Sequence, residues 1–103
     1  MLLHLQSVYR RNWPREDKMD DRRRKLLFRA QRRGFREMDL IMGQFADANI
    51  ADMAPAELDE FERLLATPDW EVFAWIMGNK KVPPNYAGPV LDQLLSFKYD
   101  PRG

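Results

Sequence analysis

The stretch DDRRRKLLFRAQRRGFREMDLIMGQFA, residues 20–46, decides the fold because it carries two helical patterns separated by Gly34. Before the glycine, a helix over 22–33 is predicted, with three apolar residues on one face: Leu26, Leu27 and Ala30. From Phe35 onwards, apolar residues recur at the steps of three and four that match a 3.6-residue period: Met38, Ile41, Met42 and Phe45. The stretch therefore predicts two consecutive amphipathic helices.

Two more helices are predicted downstream of this pair. Pro55 fits the first turn of a third helix, because proline has no amide hydrogen to lose there. The buried stripe of that helix comprises Leu58, Phe61, Leu64 and Leu65. A fourth helix opens with Thr67 as N-cap and Pro68 as first helical residue, and it ends at Gly78. Four apolar residues share one side of it: Trp70, Phe73, Ala74 and Met77.

The end of the chain predicts a fifth, short helix. Pro83 and Pro84 make 79–84 a loop, since proline does not fit a helix interior. The helix starts at about Gly88 and would bury Val90, Leu91, Leu94 and Leu95. No segment shows the period-two alternation of a strand. The expected fold is all-α, a compact five-helix domain over 19–98 with a frayed tail at 99–103.

The segment before residue 19 has two interpretations. Four apolar residues share a helical face in it: Leu2, Leu5, Tyr9 and Trp13. Arginines precede the first acid, Glu16, and this pattern is typical of a transit peptide for the mitochondrial matrix. The alternative is a flexible extension over 1–18 of a cytoplasmic protein. The absence of cysteine favours the cytoplasm, because small secreted domains usually carry disulfides.

The composition argues against an enzyme. The 103 residues include no cysteine and one histidine, His4, so the chain has no thiolate nucleophile, no cysteine metal site and no histidine pair. It also lacks a G-x-x-x-x-G-K-[ST] phosphate loop. We therefore expect no catalytic and no metal-binding residues, and a protein that works by binding another protein.

Charge is divided along the chain although the net charge is only +1. Through Arg36 there are 12 basic and 4 acidic residues, whereas 37–77 holds 10 acids and one base, Arg63. The basic stretch permits an alternative function in nucleic-acid binding, but the acidic half would repel a polyanion. The acidic run is expected to be a solvated helix face: Glu57, Asp59, Glu60 and Glu62.

The break between the first two helices carries the pattern R-G-x-x-E in Arg33, Gly34 and Glu37. Glycine there permits a helix to end at a positive φ, or lets a partner's backbone approach closely. Arg33 and Glu37 flank the glycine. An ordinary turn with a local ion pair would give the same five letters, so the pattern alone leaves both interpretations open.

The pattern belongs to a longer resemblance. Residues 33–46 (RGFREMDLIMGQFA), followed by 61–65 (FERLL) and 68–75 (PDWEVFAW), closely resemble the succinate dehydrogenase assembly factors, the SdhE-like flavinylation family. The resemblance covers about residues 20–80. Its order and spacing across three helices make it much more specific than the short motif.

This resemblance implies a five-helix domain that binds the flavoprotein subunit of succinate dehydrogenase, and often that of fumarate reductase, and promotes covalent attachment of FAD. It places Arg33, Gly34 and Glu37 on the functional surface, and we add their neighbours Arg36 and Asp39 to the candidate partner-binding residues. The chain is expected to bind no cofactor tightly and to act on the FAD of its partner. A helical adaptor without a flavin connection, and behind it a nucleic-acid binder, remain the alternatives.

Overall fold

Five α-helices make up the part of the chain that the computed structural model describes, residues 18–103. They are α1 (Asp21–Ala30), α2 (Arg36–Asn49), α3 (Pro55–Leu65), α4 (Asp69–Ile76) and α5 (Pro89–Ser96). Short 3-10 turns follow α2 at Ile50–Asp52 and precede α5 at Pro84–Tyr86. No strand occurs within these residues, and the predicted all-α fold is confirmed.

The two interpretations of the N-terminal segment concern residues that lie outside the described range. Across residues 18–103, no helix combines the length and the apolarity needed to cross a bilayer.

Helix α1 begins with a side-chain cap. The Asp20 carboxylate accepts a hydrogen bond from the backbone N–H of Arg23 at 2.9 Å, and this bond is the main cause that lowers the pKa of Asp20. The helix ends at Ala30, so the predicted extent of 22–33 with a stop at Gly34 is wrong. Arg33 therefore lies in the loop between α1 and α2 rather than on a helix.

The core forms where the apolar stripes of α2 and α3 meet α1 and α5. The predicted stripes of α2 and α3 are confirmed, with Met38, Met42, Phe45, Phe61 and Leu64 at most 1% exposed. In α5, Val90, Leu91 and Leu94 are buried as predicted, but Leu95 is exposed. One face of each helix thus supplies the apolar area whose removal from water stabilises the domain.

Helix α4 faces the core with a side that the sequence did not indicate. Val72 and Trp75 are its buried residues, whereas Trp70 is 69% exposed and Met77 is also exposed. The start of the helix also differs from the prediction. The hydroxyl of Thr67 donates to the carbonyl of Arg63 in α3 at 2.8 Å and not to an amide of α4. Thr67 therefore closes the end of α3, and the predicted N-cap role at α4 is wrong.

The predicted end of α4 at Gly78 is confirmed. Gly78 has φ +76°, a conformation that glycine adopts without steric cost. Its N–H bonds to the carbonyl of Trp75 at 3.1 Å, and the N–H of Asn79 bonds to that of Ala74 at 2.8 Å. This pair of bonds is the Schellman motif, which satisfies two carbonyls at the end of a helix.

Glu60 of α3 caps the first turn of α5. Its carboxylate accepts the backbone N–H of Val90 at 3.1 Å and that of Leu91 at 2.9 Å. These amides have no partner within their own helix, since they belong to its first turn. The prediction that Glu60 belongs to a solvated face is therefore wrong, and the contact joins two helices that are far apart in the sequence.

Candidate partner-binding site

The loop between α1 and α2 is held by the side chain of Arg33, which points into the protein. Its Nε donates to Asp69 Oδ1 at 2.9 Å, its Nη2 to the carbonyl of Leu65 at 2.7 Å, and its Nη1 to the carbonyl of Arg29 at 3.2 Å. The side chains of Arg33 and Asp69 are only 12% and 16% exposed. A charge pair this far from water is stable only when further hydrogen bonds satisfy the remaining donors, as the two carbonyls do here.

Asp69 binds the loop through both carboxylate oxygens. While Oδ1 accepts from Arg33, Oδ2 accepts the backbone N–H of Gly34 at 2.8 Å. Asp69 is the first residue of α4, where a negative charge is favoured by the helix dipole. The start of α4 is thereby bonded to Arg33 and Gly34. We call this pair of contacts from Asp69 the Asp69 clamp.

Gly34 lies at the surface. Among the glycines of residues 18–103, Gly78 and Gly103 have a positive φ, and Gly34 does not. The predicted positive-φ helix stop at Gly34 is therefore wrong. A Cβ at this position would stand 3.1 Å from Asp69 Oδ2, closer than ordinary van der Waals contact. A larger residue here would require the Asp69 carboxylate, which approaches this backbone, to shift by a few tenths of an ångström. Whether a partner also approaches it stays a prediction.

Asp39 is bonded within the same loop. Its carboxylate accepts the backbone N–H of Arg33, and it stands in the first turn of α2, where acids are stabilised by the helix dipole. The candidate set thus divides into two groups. Arg33 and Asp39 hold the loop in shape from within, whereas Gly34, Arg36 and Glu37 lie towards solvent.

Arg36 and Glu37 start α2 and remain accessible. Arg36 Nη1 lies 3.7 Å from Glu37 Oε1, and the Glu37 side chain is 40% exposed. The second oxygen, Glu37 Oε2, accepts the hydroxyl of Tyr99 at 2.7 Å. This hydrogen bond, with burial and the negative charge of Glu37 as lesser causes, raises the pKa of Tyr99 above its ordinary value.

Aromatic rings border the loop on the side of α4. The ring of Phe35 stacks on the indole of Trp70 with centroids 4.1 Å apart, and it meets Phe73 edge-on at 5.2 Å. Sequence reasoning did not connect Asp69, Trp70 or Tyr99 with the site. Nothing in the local pattern links residues more than 30 positions apart to this loop.

The basic and the acidic parts of the chain pair with each other on the surface of the domain. Arg22 of α1 donates to Asp59 at 2.6 Å and to Glu62 at 3.0 Å, both on α3. Within residues 18–103, no group of three histidine, cysteine or acidic side chains is arranged to hold a metal ion. Asp59 and Glu62 of α3 are thus paired with Arg22 of α1.

The fold and this loop define a class of small all-α domains in which an R-G-x-x-E junction is fixed by the start of a later helix. Residues 24–98 match the family described as the flavinator of succinate dehydrogenase. The chain belongs to this family, and the resemblance found from the residues is confirmed. The match reaches further along the chain than residue 80, where the sequence resemblance ended.

Curated relatives agree with this assignment. The FAD assembly factor SdhE of Acetobacter pasteurianus is 38% identical over 88 residues, which are 85% of this chain and 81% of that protein. Mitochondrial succinate dehydrogenase assembly factor 2 of Mycosarcoma maydis is 40% identical over 63 residues, and that of Dictyostelium discoideum is 37% identical over 82. The matched part spans 61% and 79% of this chain, but only 26% and 58% of these mitochondrial relatives.

Proposed function

We propose that this chain is an assembly factor that binds the flavoprotein subunit of succinate dehydrogenase and promotes covalent attachment of FAD to it. The observation that carries the proposal is the R-G-x-x-E junction, which lies within the family-matched residues and is held in one shape by the Asp69 clamp. The flavoprotein of fumarate reductase is a second candidate partner of the same chemistry. The names of the relatives support this function, since they refer to FAD and to succinate dehydrogenase assembly.

The surface offered to the partner consists of Gly34, Arg36 and Glu37. Gly34 gives a flat, exposed backbone, and the two charged side chains beside it supply a donor and an acceptor for a polar contact. Arg33 and Asp39 act as positioning residues, because their polar groups are already bonded within the chain. Such pre-formed contacts favour binding, since less side-chain freedom is lost when the partner docks.

The contribution of the chain to flavin attachment is conformational. The chain has no cysteine and a single histidine, so the bond to the flavin is formed by groups of the flavoprotein itself. An assembly factor that binds the reactive conformation of its partner more tightly than other conformations raises the population of that conformation. The orientation of the reacting groups can account for a large part of the rate.

The proposed partner also determines where the chain acts and what it binds. It works where the flavoprotein acquires FAD, which is the cytoplasm in bacteria and the matrix in mitochondria. A bacterial relative and relatives named mitochondrial support these two locations. It binds no FAD tightly by itself, because the cofactor belongs to the partner. Titration of the isolated protein with FAD, followed by flavin fluorescence, is expected to give no sub-micromolar dissociation constant.

Coexpression with the flavoprotein subunit tests the proposal. We expect a complex that copurifies and an increase in covalently bound flavin, seen as fluorescence of the flavoprotein band on a denaturing gel. Gly34→Val is expected to remain folded at the assay temperature, although its side chain meets Asp69, and to lose both signals because that side chain covers the exposed backbone. Normal copurification by this variant at near-normal melting would remove Gly34 from the site.

A matched control separates binding from folding. Gly78→Ala introduces a side chain at φ +76°, which costs about 1–2 kcal/mol of stability at a place away from the junction. We expect this variant to melt at a lower temperature and still to copurify and support flavin attachment. Equal losses of function in the two glycine variants would show that stability, not the junction, limits the activity.

A further inference from the structure

The last residues of the chain fold back along α2. Gln44 and Asp100 exchange two hydrogen bonds, from Gln44 Nε2 to the carbonyl of Asp100 at 2.8 Å and from the N–H of Asp100 to Gln44 Oε1 at 2.7 Å. Phe97, just before this segment, packs edge-on against the buried Phe45 with ring centroids 5.4 Å apart. Residues 99–103 thus have side-chain and backbone contacts that the expectation of a frayed tail did not include.

Tyr99 lies within this returning segment and reaches the R-G-x-x-E junction. Its ring packs partly buried against the core, and its hydroxyl donates to Glu37 Oε2 at 2.7 Å. The ring fixes the position of the hydroxyl, and the hydroxyl fixes one oxygen of a glutamate that otherwise has three rotatable bonds. Tyr99 therefore restricts the Glu37 carboxylate to one orientation at the start of α2.

The contact restricts Glu37 without covering it. A carboxylate has about four sites for accepting hydrogen bonds, and Tyr99 uses one of them. The Glu37 side chain is still 40% exposed, and its other oxygen lies beside Arg36. A segment that blocked the junction would bury this carboxylate, so the geometry favours a supporting role over an inhibitory one.

We propose that Tyr99 is a positioning residue that holds the Glu37 carboxylate in the orientation in which it binds the flavoprotein. The inference rests on the proposed function and adds a residue outside the family-matched range, which ends at residue 98. Its physical basis is that a side chain fixed before binding loses less freedom when the complex forms. The partner-binding surface is then supported by the segment that contains Tyr99.

Measurement of the dissociation constant for the flavoprotein subunit tests this role. Tyr99→Phe removes the hydroxyl but keeps the ring, and we expect binding to weaken by about three- to tenfold. Tyr86→Phe is the matched control, because the hydroxyl of Tyr86 makes no hydrogen bond within residues 18–103, while its ring packs near Trp75. This control is expected to bind like the wild type. Circular dichroism at the assay temperature verifies that both variants are folded.

A double-mutant cycle shows whether Tyr99 acts through Glu37. In a Glu37→Met background, which removes the acceptor of the Tyr99 hydroxyl, we expect Tyr99→Phe to weaken binding much less than it does in the wild type. An equal loss in both backgrounds would mean that Tyr99 acts elsewhere. Tighter binding by Tyr99→Phe would mean that the segment is inhibitory. Either result overturns the inference. Wild-type affinity in Tyr99→Phe also overturns it while leaving the proposed function intact, whereas failure of the wild type to bind removes both.

Discussion

Replacing Asp69 with asparagine should destabilise the whole domain, because Asp69 neutralises the partly buried guanidinium of Arg33. Both side chains are less than one fifth exposed, and removing one partner of such a pair typically costs about 3–5 kcal/mol. Asparagine keeps one oxygen for the N–H of Gly34, and the carbonyls of Leu65 and Arg29 still accept from Arg33. We therefore expect a smaller loss, about 2–3 kcal/mol.

For a domain of this size, that loss corresponds to a melting temperature lower by about 10–20 °C. Thermal melts followed by circular dichroism measure it, with Glu71→Gln as control. Glu71 on the same helix pairs with Lys80 at 2.6 Å, but both side chains are exposed, so the control should cost at most about 1 kcal/mol. A cycle with Arg33→Met isolates the charge pair from the bond to Gly34. If Asp69→Asn melts no lower than Glu71→Gln, the Asp69 clamp does not stabilise the fold.

Two further predictions follow from hydrogen bonds of single side chains. Glu60→Ala should lower the free energy of unfolding in urea by about 1–2 kcal/mol, since two amides of α5 lose their acceptor. Asp59→Ala, at an exposed position, is the control and should cost less than about 0.5 kcal/mol. Equal costs would exclude capping by Glu60. The Tyr99 contact requires a neutral phenol, so it should persist below the ordinary pKa of tyrosine and be lost as pH rises through the raised pKa of Tyr99. Glu37→Gln should lower that pKa towards its ordinary value in an NMR titration, and an unchanged titration would contradict the hydrogen bond.

The helices could be predicted from the sequence where polar residues separate the apolar ones. In α2 and α3 the polar positions leave one apolar stripe, and its period selects the buried face. Helix α4, with the sequence DWEVFAWI, is apolar on nearly every side. Periodicity cannot choose a face in such a helix, which is why Trp70 and Met77 were grouped on one side although both are exposed.

The candidate site could be located from the sequence but not assembled from it. The R-G-x-x-E pattern selected the loop between α1 and α2 as the candidate, but a local pattern does not reveal that the Arg33 side chain turns inward to a residue 36 positions away. The same limit applies to Glu60, which looked like one more acid on a solvated face. Long-range polar contacts depend on how the helices pack, and that packing is set by the apolar residues rather than by the polar ones that make the contacts.

The Asp69 clamp makes a five-letter motif dependent on a residue 35 positions beyond its glycine. A peptide with the R-G-x-x-E letters alone would contain no carboxylate in the place of Asp69, and its arginine would be free to point outward. The proposed recognition surface is therefore a property of the folded domain, because its loop is bonded to the start of α4. A flavoprotein that binds this surface would at the same time distinguish a completely folded assembly factor from one in which α4 has not yet packed.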